Sequence, residues 1–426
     1  ASFRRDGSSK LGPESRWGNF WSFAGSWRID QESFMDDVPV ISNLKLRASY
    51  GVNGTLPSSN YGWRNLTGYS SKYMEQPGGG VSSIADPNLT WETSYTYNIA
   101  LEFGIFDQKL TGSFEYFSRD SKNLLQDVPI SNVIGFESTL MNVGEINNRG
   151  LEFELSGEIL KRGGFTWTAG LTASHVKSTV TKLYGGQDII WYEPTGDDDR
   201  TKFIYTEGES TLAIYGLEWA GVERETGLNV WFLNNNATPD LVVDGRPATY
   251  SYSDADEVIL GDAHPKLFGG YNTDLAWKGL SLSLNFIYKL GGYTYDAAGK
   301  DVNDDGYYWE RIMSLDAYEN RWTPLNKDAR YPQRVAIDME DVNQKSSRHM
   351  HPADFTRLKS ITLGYSLPNN LLSKVKLSGG RIYFNGANLW TLAAWKVYDP
   401  EVNEYGSRGW EMPIGKTYTF GIEASF

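Results

Sequence analysis

Apolar and polar residues alternate along most of this 426-residue chain. Successive side chains of a β-strand point to opposite faces, so a period-two pattern gives each strand one apolar and one polar face. From Tyr95 to Gly104, Tyr, Tyr, Ile, Leu and Phe occupy every second position, with Thr, Asn, Ala, Glu and Gly between them. The same alternation occurs in 151–156, 165–174 and 280–288. The pattern predicts an all-β chain of antiparallel strands.

Twelve segments carry this pattern, most of them near the roughly 9–11 residues that a tilted membrane-crossing strand needs. We place them near residues 1–5, 16–29, 42–52, 94–104, 108–118, 149–159, 163–182, 265–277, 279–291, 355–367, 379–391 and 416–426. The connections alternate between short ones, at 30–41, 105–107, 160–162, 278 and 368–378, and long ones, at 6–15, 53–93, 119–148, 183–264, 292–354 and 392–415. Short periplasmic turns and long extracellular loops are typical of outer-membrane barrels. The sequence therefore predicts an antiparallel transmembrane β-barrel, with 212–233 as a hairpin inside an extracellular loop.

Composition excludes several other classes of protein. The chain holds 15 Trp, 26 Tyr, 19 Phe and 44 Gly, but no run of about 18 apolar residues that could cross a bilayer as a helix. A net charge of -13 argues against a nucleic-acid partner. With no cysteine, thiol catalysis and cysteine-ligated metals are excluded. No G-x-S-x-G, P-loop or dinucleotide motif occurs, so we expect no enzymatic activity.

The last strand ends on an aromatic residue. Tyr418, Phe420, Ile422, Ala424 and Phe426 form one alternating face. A terminal aromatic strand resembles the signal read by the bacterial barrel-insertion machinery, although an ordinary amphipathic strand could also stop on Phe. We therefore expect Phe426 to be a genuine C-terminus and the chain to be cut at its front.

Five segments along nearly the whole chain carry a common resemblance. They are N-L-T-W-E-T at 88–93, N-I-A-L-E-F-G at 98–104, N-V-G-E-I-N-N-R-G-L-E at 142–152, F-T-R-L-K-S-I-T-L-G-Y at 355–365 and D-P-E at 399–401. Because they lie in the same order as in the family, they are jointly specific, and they resemble segments of SusC/RagA-type TonB-dependent outer-membrane transporters.

The resemblance implies that residues 1–426 are the C-terminal portion of a barrel of about 22 strands. An N-terminal plug, the first barrel strands and the segment that contacts TonB would lie outside this chain. A SusD-like surface lipoprotein would cover the mouth as a lid, and lipid or lipopolysaccharide would surround the wall in the bacterial outer membrane. The C-terminus would be periplasmic. The implied function is TonB-dependent import of a large nutrient, a glycan or oligosaccharide or a peptide. A siderophore or cobalamin receptor, or a structural or adhesin barrel, is the alternative.

One acidic segment has the spacing of a calcium loop. Asp301, Asn303 and Asp305 fall in D-x-N-x-D-G, which lets alternate side chains surround a hard cation. Position twelve is Ile312 rather than a bidentate Glu, so the set is incomplete as a ligand shell. We expect no other cofactor, and a solvated acidic turn is the alternative. At 243–249 an arginine and a proline interrupt the acidic spacing, and we expect no ion there.

Aromatic residues fall into two groups. Those near strand ends fit the interface girdles of a barrel; they include Trp17, Trp21, Trp27, Trp277 and Tyr288. Others lie in long loops, where exposed rings beside polar groups can stack on sugars or peptide groups. The candidate substrate contacts are Trp191, Tyr192, Tyr307, Tyr308, Trp309 and Trp410. Packing between loops or against the lid protein is the alternative for these rings. The pair His349 and His351 is better explained as part of a polar rim than as metal ligands.

Overall fold

The structure is a computed structural model that describes residues 1–130, 133, 135–136, 138–194, 201–303, 305–306, 312–335, 344–408, 410 and 412–426. Its main element is a sheet of twelve antiparallel strands, each paired with its neighbours in chain order. We number these strands β1 to β12. They are Ser2–Gly7, Trp17–Arg28, Ile41–Thr55, Glu92–Ile105, Leu110–Pro129, Ser138–Arg162, Phe165–Lys182, Leu267–Trp277, Leu280–Leu290, Phe355–Ser366, Gly379–Ala393 and Thr417–Ser425. All twelve predicted strands are confirmed.

The two faces of the sheet differ in chemistry, because the register aligns like with like. One row across β2 to β6 is apolar and consists of Trp27, Leu46, Leu101, Phe114 and Phe153. The adjacent row, on the opposite face, is polar and consists of Arg28, Lys45, Glu102, Ser113 and Glu154. No element in the described part of the chain covers this apolar row, since Leu101 is 37% and Phe114 46% exposed. Strands β2 to β6 therefore present one face suited to lipid and one suited to water.

Tight turns close one end of the sheet. Between β6 and β7 the loop is Gly163-Gly164, with φ of 61° and 81°, and between β8 and β9 it is Lys278-Gly279, with φ of 44° and 88°. Two consecutive residues with positive φ form the type I′ turn, whose twist matches that of the flanking strands. Glycine adopts this conformation without a steric cost, which explains its placement here.

Strands β5 and β6 are longer than the sequence predicts. The predicted loop 119–148 is wrong for most of its length, because pairing continues to Pro129 and resumes at Ser138. Contacts with the neighbouring loop support this ribbon: the Asn142 amide accepts a hydrogen bond from Thr90 N at 2.8 Å and donates one to Thr90 O at 3.0 Å. A long ribbon therefore projects beyond the rest of the sheet.

An apolar cluster lies where the ribbon meets the loops. Leu11, Phe20, Val52, Leu89 and Trp91 are all buried, and the rings of Phe20 and Trp91 meet edge to face at 5.2 Å. Two ribbon residues, Leu125 and Leu140, pack against this cluster. The cluster thus anchors the loop at 53–93 to the sheet.

The long connections contain small sheets of their own. One has four strands, Ile189–Tyr192, Lys202–Tyr205, Ala213–Gly216 and Val258–Asp262. A second has four, Trp219–Val222, Asn229–Phe232, Leu241–Val243 and Arg246–Thr249. A third has three, Tyr293–Asp296, Met350–Pro352 and Ser407–Arg408, and Leu66–Tyr73 pairs with Gln76–Ser83. The predicted hairpin at 212–233 is found only from Trp219 to Phe232, because Ala213–Gly216 joins the first small sheet.

Helices are few and short in the described part of the chain. The α-helices are α1 (Ala297–Val302), α2 (Leu315–Asn320) and α3 (Asn369–Leu372). Single 3-10 turns occur at Ile29–Gln31, Ser33–Met35, Tyr184–Gly186, Tyr252–Asp254, Ser347–His349 and Ser373–Val375. None of the described helices has the length and apolar character needed to cross a membrane.

The two faces should respond oppositely to charge. Replacing Phe114 by Arg in the full-length protein places a cation on the apolar face, which should cost about 2–4 kcal/mol if that face meets lipid. Ser113→Arg, one residue away on the polar face, is the matched control and should fold normally. Urea unfolding in lipid vesicles measures the difference, and equal stability of the two variants would contradict the assignment of faces.

Candidate functional site

Three of the long loops form one connected assembly at one end of the sheet. In the three-stranded sheet, Tyr293–Asp296 pairs with Met350–Pro352 of the same connection and with Ser407–Arg408 of the last one. The connection at 183–264 joins them through the backbone, since Ser347 N donates to Leu217 O at 3.0 Å. Three connections that are far apart in sequence are therefore held together.

A buried ion pair lies at the centre of this assembly. Arg348 donates to both carboxylate oxygens of Asp305, and the two side chains are only 6% and 1% exposed. Asn229 Nδ2 donates to the same carboxylate at 3.1 Å, and Arg348 also donates to Asn303 O at 3.2 Å. The guanidinium lies 5.5 Å from the ring centroids of Trp219 and Tyr331. A paired guanidinium in such surroundings fixes the geometry of three loop segments at once.

The three residues predicted to bind calcium lie at or beside this ion pair. Asp301 is buried in α1, and Asn303 Oδ1 accepts a hydrogen bond from Ser314, while Asp304 lies outside the described residues. The Asp305 carboxylate binds arginine and Asn229. Among the described residues, no group of three His, Cys, Asp or Glu side chains is arranged to hold a metal ion. Calcium binding at this loop stays a prediction, and the described contacts of Asp305 are those of an internal ion pair.

A second cluster attaches the last long loop to the wall. Arg357, on β10, is 3% exposed and donates to Glu401 at 2.8 Å and to the Asp399 carboxylate. Lys359 also donates to Glu401, at 2.9 Å. Asp399 Oδ2 in turn accepts from Ile414 N at 3.0 Å. The segments 399–401 (D-P-E) and 355–359 (F-T-R-L-K) are therefore in contact. Their separation of about 40 residues in the sequence did not indicate this contact.

Two histidines lie in the same assembly. His349 is 4% exposed and His351 stacks on Trp395 at 4.8 Å. Burial lowers the pKa of His349 well below its ordinary value, and the positive charges of Arg348 and Lys300 act in the same direction. Burial likewise lowers the pKa of His351, to about 4, and Arg330 adds to the effect. Both imidazoles are therefore neutral at pH 7.

The loop aromatics differ in their surroundings. Trp191 belongs to a packed cluster: its ring stacks on Phe203 at 4.5 Å and meets Tyr405 at 6.0 Å. The expectation that Trp191 is an exposed ring is therefore wrong, because the first small sheet buries most of it. Its neighbour Tyr192 points the other way and is 48% exposed.

The remaining candidate contacts are only partly described. Trp410 is 59% exposed in the last long loop. The residues Tyr307, Tyr308 and Trp309 lie outside the described part of the chain. Tyr192 and Trp410 thus keep the exposure that a stacking contact needs, and substrate binding by any of these residues stays a prediction.

Charged side chains on the polar face of strands β3 to β5 form a network. Arg47 pairs with Glu102 at 2.8 Å and with Glu115, and Lys45 lies 3.3 Å from Glu102. A shallow depression beside this network is lined by small residues of β2, including Ala24 and Ser26. The register places Glu102 and Glu115 on the same, polar face of the sheet.

Removing the buried ion pair should loosen the loops. Arg348→Ala leaves the Asp305 carboxylate buried without its cation, which should cost about 3–5 kcal/mol of local stability. Arg330→Ala is the matched control, because its pair with Asp316 spans 3.4 Å between side chains 65% and 45% exposed, and should cost less than about 1 kcal/mol. Hydrogen exchange of 292–354 in the full-length protein measures both. Equal protection in the two variants would contradict a stabilising role for Arg348.

The assembly should also weaken in acid. The folded pKa values of His349 and His351 lie below the ordinary value of about 6.5, so the unfolded loops bind protons that the folded loops do not. Local stability should be complete above about pH 6.5 and fall towards pH 4, by up to about 1.4 kcal/mol per pH unit for each histidine. Hydrogen exchange around 347–352, corrected for intrinsic rates, should show this slope. Replacing both histidines by Gln should flatten this slope. An unchanged slope would show that His349 and His351 do not cause the loss of stability in acid.

Comparison with known proteins identifies the family. A model described as TonB-dependent receptor-like β-barrel matches residues 1–389. TonB-dependent receptor P3 of Formosa agariphila is 31% identical over 99% of this chain and 43% of its own length. TonB-dependent receptor SusC of Bacteroides thetaiotaomicron is 27% identical over 99% of the chain and 41% of its own length.

A solved structure agrees with these matches. The RagAB peptide transporter superposes on 100% of this chain with a TM-score of 0.85 and 27% identity, and 45% of that transporter chain is covered. This chain thus spans a little under half the length of the relatives that it matches. The resemblance in sequence, the twelve-stranded sheet and the family match agree, and the chain belongs to the TonB-dependent receptor-like β-barrel family.

Proposed function

We propose that this chain forms part of the wall and the external loops of a TonB-dependent importer in the bacterial outer membrane. The observation that supports this most strongly is the superposition of the whole chain on the RagAB transporter at a TM-score of 0.85. In that arrangement the apolar face meets lipid and the polar face lines the lumen. Import needs a plug and a contact with TonB, and we assign both to the part of the protein that this chain does not cover.

The polar face suits passage of a hydrated cargo. The ion pairs of Arg47 with Glu102 and Glu115 compensate charge locally, so the wall offers hydrogen-bonding groups without a large field of one sign. We infer that the cargo is a large nutrient, a peptide or an oligosaccharide, because polar groups and exposed rings serve both. A SusD-like surface lipoprotein would cover the loops, with the loops extracellular and the C-terminus periplasmic.

The loop assembly would then form the mouth of the importer. The Arg348–Asp305 pair and the Arg357 cluster hold its connections in one arrangement, which reduces the entropy lost when a ligand binds. Exposed rings on this assembly, Tyr192 and Trp410, are the described candidates for contact with cargo. Trp191 would act differently, by supporting the sheet that carries Tyr192.

The proposal can be tested in cells that lack the full-length gene. Restoring the gene should restore uptake of labelled oligopeptides or oligosaccharides, and uptake should disappear when TonB is removed. Retained uptake in the deletion strain, or in the absence of TonB, would contradict the import assignment. Purification from the outer membrane should yield a surface lipoprotein in the same complex.

Replacing the exposed loop rings should weaken cargo binding without affecting assembly. Tyr192→Ala with Trp410→Ala should reduce affinity several-fold, because each stacked ring contributes about 0.5–1.5 kcal/mol. The control is Trp277→Ala, an equally exposed ring (50%) at the short-turn end of the sheet, which should bind normally. Calorimetry with the cargo identified by uptake measures both, and normal affinity in the double variant would exclude these rings as contacts.

A further inference from the structure

Two exposed cations lie side by side on the outward, apolar face of the sheet. Arg149 of β6 is directly opposite Lys177 of β7. Alternation along β6 puts Arg149 on the same face as Leu151 and Phe153. Both cations are exposed. In the part of the chain that the structure describes, neither makes an ion pair or a side-chain hydrogen bond.

Several other cations of this sheet have carboxylates beside them. Nearby, Lys122 of β5 and Lys182 of β7 share Glu145 of β6 at 4.0 and 3.8 Å. The carboxylate diagonally across from Arg149, that of Asp120, accepts a hydrogen bond from Asn147 at 2.7 Å instead of pairing with the arginine. Like charges directly opposite each other in a sheet are destabilising. An anion placed between Arg149 and Lys177 would therefore stabilise the pair.

The position of Arg149 and Lys177 along their strands indicates where such an anion would come from. The row that contains it runs across β3 to β7 as Tyr50, Tyr97, Ser118, Arg149 and Lys177. The next row towards the short turns is mostly apolar and consists of Ile99, Tyr116, Leu151 and His175. Tyrosines at the edge of an apolar band mark the depth of lipid headgroups. The two cations thus lie where the apolar band ends, on the side of the long loops.

We propose that Arg149 and Lys177 form a docking site for a phosphate group of an outer-leaflet lipid. The guanidinium and ammonium groups would bind the phosphate oxygens, while the acyl chains of the same molecule lie against Leu151 and Phe153. A lipid fits this site better than free phosphate does, because the two cations lie at the edge of the apolar face, where acyl chains can pack. This inference rests on the proposed placement of the barrel in the outer membrane, but not on import.

The test measures lipid bound to the full-length transporter purified in detergent. Native mass spectrometry with bis-phosphorylated lipid A, dephosphorylated lipid A and inorganic phosphate as separate probes gives the affinity for each. In the variant Arg149→Gln with Lys177→Gln, binding of the phosphorylated lipid should weaken on the order of tenfold. The matched control, Lys122→Gln with Lys182→Gln, removes two cations that already have Glu145 and should bind like the wild type.

Each alternative result overturns the proposal. Equal binding of the phosphorylated lipid by the double variant and the wild type would exclude these residues. Equal binding of dephosphorylated lipid A by the wild type would show that the phosphate is not recognised, and equally tight binding of inorganic phosphate would assign the site to a free anion. Arg149→Lys keeps the charge and should retain the lipid, which separates loss of charge from loss of folding. Uptake of cargo is measured separately, so a failure of this site leaves the import assignment intact.

Discussion

Backbone pairing is the constraint on which the rest of this structure depends. A strand that crosses a bilayer must satisfy its N–H and C=O groups with neighbouring strands, because the hydrocarbon interior offers no other partner. Twelve strands paired in chain order meet this requirement for all but the outer edges of β1 and β12. Once the backbone is paired, side chains are free to differ between the faces, and the row from Trp27 to Phe153 beside the row from Arg28 to Glu154 shows how completely they do.

The strands of the large sheet could be predicted from sequence, because the alternation of apolar and polar residues is a local pattern. Alternation over about ten residues defines both a strand and its orientation, and glycine pairs such as Gly163-Gly164 mark the tight turns. The extension of β5 and β6 escaped prediction for a physical reason. Beyond the wall the ribbon is held by contacts with another loop, such as Asn142 with Thr90, and no local period encodes such contacts.

The loop assembly was far less predictable, since its residues become neighbours only through the fold. The acidic spacing at 301–306 predicted a calcium loop, which stays a prediction, but it did not indicate that Asp305 pairs with Arg348, 43 residues away. The segments that contain Arg357 and Asp399 could be recognised in the sequence, but the ion pair between these two residues could not be predicted from it. Trp191 shows the same limit, because a ring in a long loop can be exposed or packed, and only the small sheet around it decides which.

The interlocking of the long loops has a consequence for how such proteins diversify. Tyr293–Asp296 has one strand partner within its own connection and another in the final one, so the backbone of each segment completes the hydrogen bonding of the others. A single loop transplanted into a relative would leave unpaired strand edges in both proteins. We therefore expect the connections 183–264, 292–354 and 392–415 to change together, as one module.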